Sequence, residues 1–336
     1  MYIQSPFRRI ENILGMKNVP DSEDIEKSLD RAIPSLLKEL PKIRPQGSNG
    51  KPGGLIVLKP LPTIIVPDLH GRIDYLKTLL SWRPPGSVYN VYQELSMGSL
   101  QVICVGDGFH SESRGFLRWK DALKEFTGEY RKHKAIDEEM KESLGVMMIV
   151  MELKAAFPEY FHFLKGNHEN VLNEESLENR PFRKFVFEGA MVKLWFEKFI
   201  NNITFKKYYQ FEKLLPVFAV GDRFCVSHAE PRMYYSRDKL VEAMIHREII
   251  FDFTWTANDE AETSSVLKYL EEYFPGDSMS LMFGGHRPVK EKYLTRANGR
   301  YLQIHNPDEF IAVYIQNMSE FSKERNILIL PKREVG

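Results

Sequence analysis

The sequence predicts an α/β protein with a mostly buried sheet, and two observations carry that prediction. Short apolar runs, as expected of strands covered on both faces, alternate with long helical patterns. Five of the runs stop at clusters of Asp, Asn, His and Gly. Such clusters gather where strand ends in an open α/β sheet converge on a ligand.

In chain order, an amphipathic helix over 22–40 comes first, with Ile25, Leu29, Ile33, Leu36 and Leu37 on one face. Residues 1–50 read as an N-terminal helical appendage ending in the turn-rich linker RPQGSNGKPGG, and residues 51–336 as one main domain. Strands with polar ends are expected at 63–66, 101–105, 160–164, 224–227 and 281–283, and further strands at 301–305, 310–315 and 326–330. Helical patterns fill 116–134, 136–157 and 182–202.

A chain of 336 residues buries a sizeable core as one large domain or two smaller ones, and 43% hydrophobic with 27% charged residues is the balance of a water-soluble globular protein. Lys plus Arg equals Asp plus Glu at 46 each. That parity offers no electrostatic case for nucleic acid or an anionic membrane as partner. The two cysteines, Cys104 and Cys225, sit inside apolar runs, as buried reduced thiols do. No apolar run is long enough to span a bilayer, and the N-terminus lacks the apolar segment of a secretory signal, so a cytoplasmic location is expected.

The polar ends contain the chemistry. In IIVPDLHGR, Asp68 and His70 alternate past one residue and can turn toward one point. In VICVGDGFHSESRG, Gly106 permits a sharp turn before Asp107, whose two oxygens are able to bridge two cations. FLKGNHENV offers the Asn167 amide oxygen and the His168 imidazole; FCVSHAEPR and MFGGHRPV offer His228 and His286. Carboxylate, amide and imidazole ligands suit Mn, Fe or Zn. A single strand ending in a polar turn is usually structural, but five on one chain point to a shared metal site. His110, His133, His162, His246 and His305 do not share the full pattern and are read as structural or solvated.

These motifs, above all Gly166-Asn167-His168-Glu169 together with Asp68, His70 and Gly71, Gly106-Asp107 with Arg114, His228 and Gly285-His286, resemble the phosphoprotein phosphatase family of the calcineurin-like metallophosphoesterases. The similarity runs over 63–315 in consistent order. It implies a β-sandwich flanked by helices, in α-β-β-α layers. It also implies a two-metal hydrolase in which Asp68, His70 and Asp107 hold one ion and Asp107, Asn167, His228 and His286 the other. A water activated there attacks phosphorus in line, Arg114 holds phosphoryl oxygens, and His168 is the general acid for the leaving oxygen. The implied substrate is phosphoserine or phosphothreonine in a protein; a nucleotide, such as a dinucleoside polyphosphate or cyclic nucleotide, is the alternative, and a catalytically silent binding module a third.

The match has departures. Pro67 stands where the family has glycine, and the stretch from Asp107 to Arg114 is lengthened. Glu112 is the candidate to orient His168, with an ordinary loop residue as the alternative. The family's second phosphate-binding arginine has no counterpart; Arg232 and Arg287 are candidate substitutes, or else surface arginines. A charged helical insertion at about 116–143 either caps the site, contacts a partner, or is a solvated helix pair.

Overall fold

Alternation of side chains along short strands sets the layering. Residues 4–332 are described by a computed structural model. In chain order the strands are β1 (Leu55–Val57), β2 (Thr63–Val66), β3 (Gln101–Cys104), β4 (Phe161–Phe163), β5 (Phe218–Val220), β6 (Phe224–Ser227), β7 (Leu281–Gly284), β8 (Leu294–Arg296), β9 (Tyr301–Gln303), β10 (Ile311–Ile315) and β11 (Ile327–Ile329). They form a six-stranded sheet in the order β1-β5-β6-β7-β9-β8 and a five-stranded sheet in the order β11-β10-β2-β3-β4.

Successive residues of a strand face opposite ways. In β2, Ile64 and Val66 therefore join a helical layer while Ile65 joins a second cluster with Ile103, Val105, Leu164, Val226, Phe283 and Leu302. Both sheets contribute to that second cluster, so it is the core between them. On the outer face of the other sheet, Phe218, Cys225, Met282 and Tyr301 pack with residues of the helices Arg247–Thr254 and Ser265–Tyr273. The result is the expected four-layer α-β-β-α arrangement. Cys104 and Cys225 are both buried and free, one on each outer layer, which separates the two thiols.

β2, β3 and β4 run parallel, as do β6, β7 and β9. Their carboxyl ends therefore lie along one edge of the sandwich. Three strands, β1, β5 and β8, were not expected from the sequence; each is three residues long, too short to show a period. No described helix is long and apolar enough to cross a membrane.

The N-terminal segment packs on the rest of the chain. The helix Ser22–Leu37 buries Ile25, Leu29, Ile33 and Leu36 in the main helical cluster against the helices Lys134–Ala156 and Asn202–Lys213. Arg9 and Arg31 both pair with the buried Glu152. The turn-rich stretch that follows is also anchored: Arg44 is fully buried and donates to Glu39, the Gly53 carbonyl and the Leu214 carbonyl. An amphipathic face that wide needs an apolar partner, and the core supplies it.

The helices Phe116–Thr127 and Lys134–Ala156 pack on each other, and the second is buried from Ser143 to Lys154. Its Glu139 accepts from the Ser111 N–H (2.8 Å) and hydroxyl (2.6 Å), and its Glu142 accepts from Arg114 and Arg118. The helix pair thus braces the loop 108–115.

Candidate metal centre

Each expected ligand sits just past the carboxyl end of a parallel strand. Asp68 and His70 follow β2, Asp107 follows β3, Asn167 follows β4, His228 follows β6 and His286 follows β7. All are buried except His286, which is partly so. The backbone turns sharply to present them: His70, Asp107 and His286 have φ of 43°, 50° and 65°. Non-glycine residues rarely adopt that left-handed conformation, and it concentrates at functional sites. Gly106 has φ 119°, and a Cβ there would stand 2.6 Å from the Gly166 nitrogen, so the β3 and β4 ends approach as only glycine permits.

A carboxylate beneath the turns holds them in place. Glu169 accepts from the backbone N–H groups of Asp107 (3.0 Å), Gly108 (2.8 Å) and Gly166 (2.7 Å). Asp107 in turn accepts from the His168 N–H at 2.9 Å, and Asp68 from the His286 N–H at 2.9 Å. Four of the converging loops are therefore tied through ligand or near-ligand carboxylates.

The imidazoles are oriented by backbone carbonyls. His70 Nδ1 donates to the Phe109 carbonyl and His228 Nδ1 to the Val105 carbonyl, each at 3.1 Å. With the proton on Nδ1, each Nε2 turns a lone pair into the site. There His228 Nε2 meets the Asp107 carboxylate at 3.4 Å and Asn167 Oδ1 at 3.1 Å, while His286 Nδ1 lies 2.9 Å from the same Asn167 oxygen. On the other side, His70 Nε2 lies 3.8 Å from Asp68 and 3.7 Å from Asp107. Lone pairs facing one another in a buried site repel, unless a cation stands between them.

The buried Asp68 Oδ1 and His286 Nε2 have no hydrogen-bond partner. Burial drives His70 down to about 3 and His228 to about 4, the neutral form that ligates metal. Burial, then the neighbouring Asp68 and Glu169 carboxylates, push Asp107 well above the usual carboxylate range. Donor type, tautomer and crowding of negative charge all fit two cations, with Asp107 shared between them.

A solved protein serine/threonine phosphatase from Saccharomyces cerevisiae matches 92% of this chain and 89% of its own, with a TM-score of 0.56 at 12% sequence identity. The fold is that of a serine/threonine phosphatase. A cold-active protein tyrosine phosphatase of a psychrophilic Shewanella species matches 79% of this chain and 78% of its own, at 12% identity and a TM-score of 0.45. No protein-family model and no curated protein matches the sequence.

The residues around the candidate ligands differ from those expected. A cavity of about 240 Å³ opens over the ligands, walled by His168, Phe182, Arg183, Lys184, Trp255 and Arg287. His168 packs between the rings of His70, His110 and Phe182. Glu112 does not orient it. One Glu112 oxygen accepts from His305 Nε2 at 2.9 Å, the other from Lys184 Nζ at 2.7 Å, and the Nδ1 of His168 has no partner. Burial would raise the Glu112 carboxyl, but His70, His305 and Lys184 hold it well below its ordinary value.

Arg114 is also elsewhere. Its guanidinium pairs with Glu142 at 2.7 Å and reaches the His70 carbonyl at 3.2 Å, behind the ligand loop and outside the cavity lining. A fixed carboxylate on the bracing helix supplies a nearer partner than the site does. Arg232 lies 3.9 Å from Asp252, half exposed, also off the cavity. Of the arginine candidates only Arg287 reaches the cavity wall, and Arg183, missed in the sequence, joins it there.

Two histidines read as structural or solvated, His110 and His305, are buried beside the candidate ligands. His110 accepts from the Glu112 N–H at Nδ1 (3.2 Å) and faces Glu188 with Nε2 (3.4 Å), so both nitrogens are engaged. His305 is fully buried beside Asp68 and Glu112. Its sequence signal is the run YLQIH, a mostly apolar run ending in a histidine as FCVSH does at His228.

Proposed function

We propose that the chain is a metal-dependent phosphoric ester hydrolase acting on phosphoserine or phosphothreonine. The observation that carries the reading is the pair of facing acceptor groups sharing Asp107, set beneath a cavity rimmed by Arg183 and Arg287. Asp68, His70 and Asp107 would hold one cation, and Asp107, Asn167, His228 and His286 the other, with Mn, Fe or Zn matching the donors. Two such cations supply an acidified water as nucleophile and neutralise charge on the phosphoryl group.

The protein's own contribution is positioning. Arg183 and Arg287 pair with no carboxylate among the described residues, which leaves both guanidinium groups for phosphoryl oxygens. His168 faces the cavity to protonate the leaving oxygen. Burial and the neighbouring His110 and His70 hold its pKa well below the ordinary range. The negative charge of a bound phosphate therefore has to raise its proton affinity before it acts as an acid.

The shared fold with a protein serine/threonine phosphatase supports a phosphorylated side chain over a dinucleoside polyphosphate as substrate. A reducing, cytoplasmic setting agrees with the two buried free thiols. The test is a panel of phosphopeptides and nucleotides offered to the manganese-loaded protein. Turnover of phosphopeptides is expected, whereas activity confined to nucleotides rejects this substrate class. No turnover of any phosphoester, with metals bound, rejects the enzyme.

A further inference from the structure

Resting on the dinuclear reading above, we propose that His305 is a seventh metal-ligating side chain, binding through Nδ1 the cation held by Asp68 and His70. Without it that cation has Asp68, His70 and the shared Asp107 as its protein ligands. With it, the two ions have four side chains each.

The tautomer decides which nitrogen is free. The Glu112 carboxylate lies 2.9 Å from His305 Nε2 and accepts a hydrogen bond there, so the proton is on Nε2 and the Nδ1 lone pair points the other way. That Nδ1 is buried, has no hydrogen-bond partner and stands 3.7 Å from Asp68 Oδ2. His70 Nε2 stands 3.8 Å from the same oxygen, and one atom from each of the three side chains falls within a single 4.8 Å cluster. Ligands at about 2.0–2.2 Å from one ion stand roughly 3–3.5 Å apart, slightly closer than the 3.7 and 3.8 Å that separate the two imidazole nitrogens from Asp68 Oδ2. A buried lone pair beside a carboxylate oxygen is costly unless a proton or a cation stands between them.

Two supports make the position specific. Glu112 holds the far side of the ring as carboxylates hold metal-ligating histidines, fixing both tautomer and rotation. Arg72, buried, clamps the two loops concerned: it donates to the Asp68 and Leu69 carbonyls on one side and to the Asn306 and Glu309 carbonyls on the other. The other histidine cluster beside His70, formed with His110 and His168, offers no equivalent, because both His110 nitrogens are engaged.

The chain Lys184–Glu112–His305 thereby links a cation on the cavity wall to the metal. Glu112 becomes a positioning residue for the ligand.

The experiment is a crystal structure of the wild-type protein loaded with manganese, with anomalous scattering to locate the ions. His305 Nδ1 within about 2.0–2.3 Å of an ion that also contacts Asp68 and His70 is the expected result. A separation beyond 3 Å overturns the proposal and makes His305 a plain hydrogen-bonding group. Titration with manganese, read by metal content and by the spin-coupled signal of a manganese pair, gives a second test. His305→Asn is expected to lower affinity for one of two ions by about 100-fold or more, and Glu112→Gln by about 10–100-fold. If the wild type takes up two ions and His305→Asn takes up both with unchanged affinity, the ligand assignment falls alone. A wild type that never takes up two ions removes the dinuclear reading itself.

Discussion

Replacing Asp107 with Asn should make the metal-free protein more stable and the metal-loaded protein less stable, reversing the order of the two proteins. The substitution suits the site sterically. Asn tolerates the left-handed conformation at φ 50°, and its amide oxygen can keep the 2.9 Å bond from the His168 N–H. What it removes is a carboxylate that burial, Asp68 and Glu169 make hard to ionise.

The sign follows from the raised folded pKa. The unfolded chain loses this proton near the ordinary carboxylate value of about 3.9, while the folded chain retains it to higher pH. The unfolded state therefore binds fewer protons, and rising pH costs the metal-free wild type stability that Asp107→Asn does not lose. Relief of a buried, unpaired carboxylate is worth about 1–3 kcal/mol. Saturating metal has the opposite effect, since a ligand present at 1,000 times its dissociation constant stabilises by about 4 kcal/mol. Urea unfolding of the two proteins, stripped and manganese-loaded, from pH 5 to pH 8 measures both. A metal-free variant less stable than wild type, or a gap that narrows as pH rises, refutes the reasoning, as does undiminished manganese binding.

Four further outcomes are expected. His168→Asn should retain both ions by metal analysis yet lose about 10²–10⁴-fold in turnover of alkyl phosphates, and much less with a good leaving group such as p-nitrophenolate. Arg287→Ala should lower kcat/KM by about 10-fold or more, whereas Arg114→Ala, whose guanidinium pairs with Glu142, should change it by less than about 3-fold. Gly166→Ala places a Cβ 2.1 Å from Asp107 Oδ1, so metal content should fall with little loss of helical circular dichroism. His162 is held down at about 3 by burial and then by Lys154, so the unfolded state takes up its proton below about 6.5 and the folded state does not. Its contribution to stability is then lost as pH falls from about 6.5 toward 3, at about 1.4 kcal/mol per pH unit, and the slope of acid unfolding should flatten in His162→Gln.

The strand ends and the residue types clustered on them are legible in the chain itself. Asp68, His70, Asp107, Asn167, His228 and His286 stand out as candidate ligands because each lies within a few residues of the end of a short apolar run, and five runs with like endings repeat one local pattern. The layers of the fold follow from the same alternation, as Ile65 and Val66 show by entering different clusters.

Which side chains stand beside those candidate ligands depends on contacts between residues far apart in the chain. The Glu112 partner His305 lies 193 residues away, and the Arg114 partner Glu142 lies 28 residues on. Neither spacing has a period to read. Nor does composition separate an appendage from a core helix: the face of Ser22–Leu37 looks the same until Leu29 and Ile33 meet the helix Lys134–Ala156. Local geometry is written in neighbours along the chain, whereas the pairing of charges and lone pairs is settled by which loops the two sheets bring to one edge.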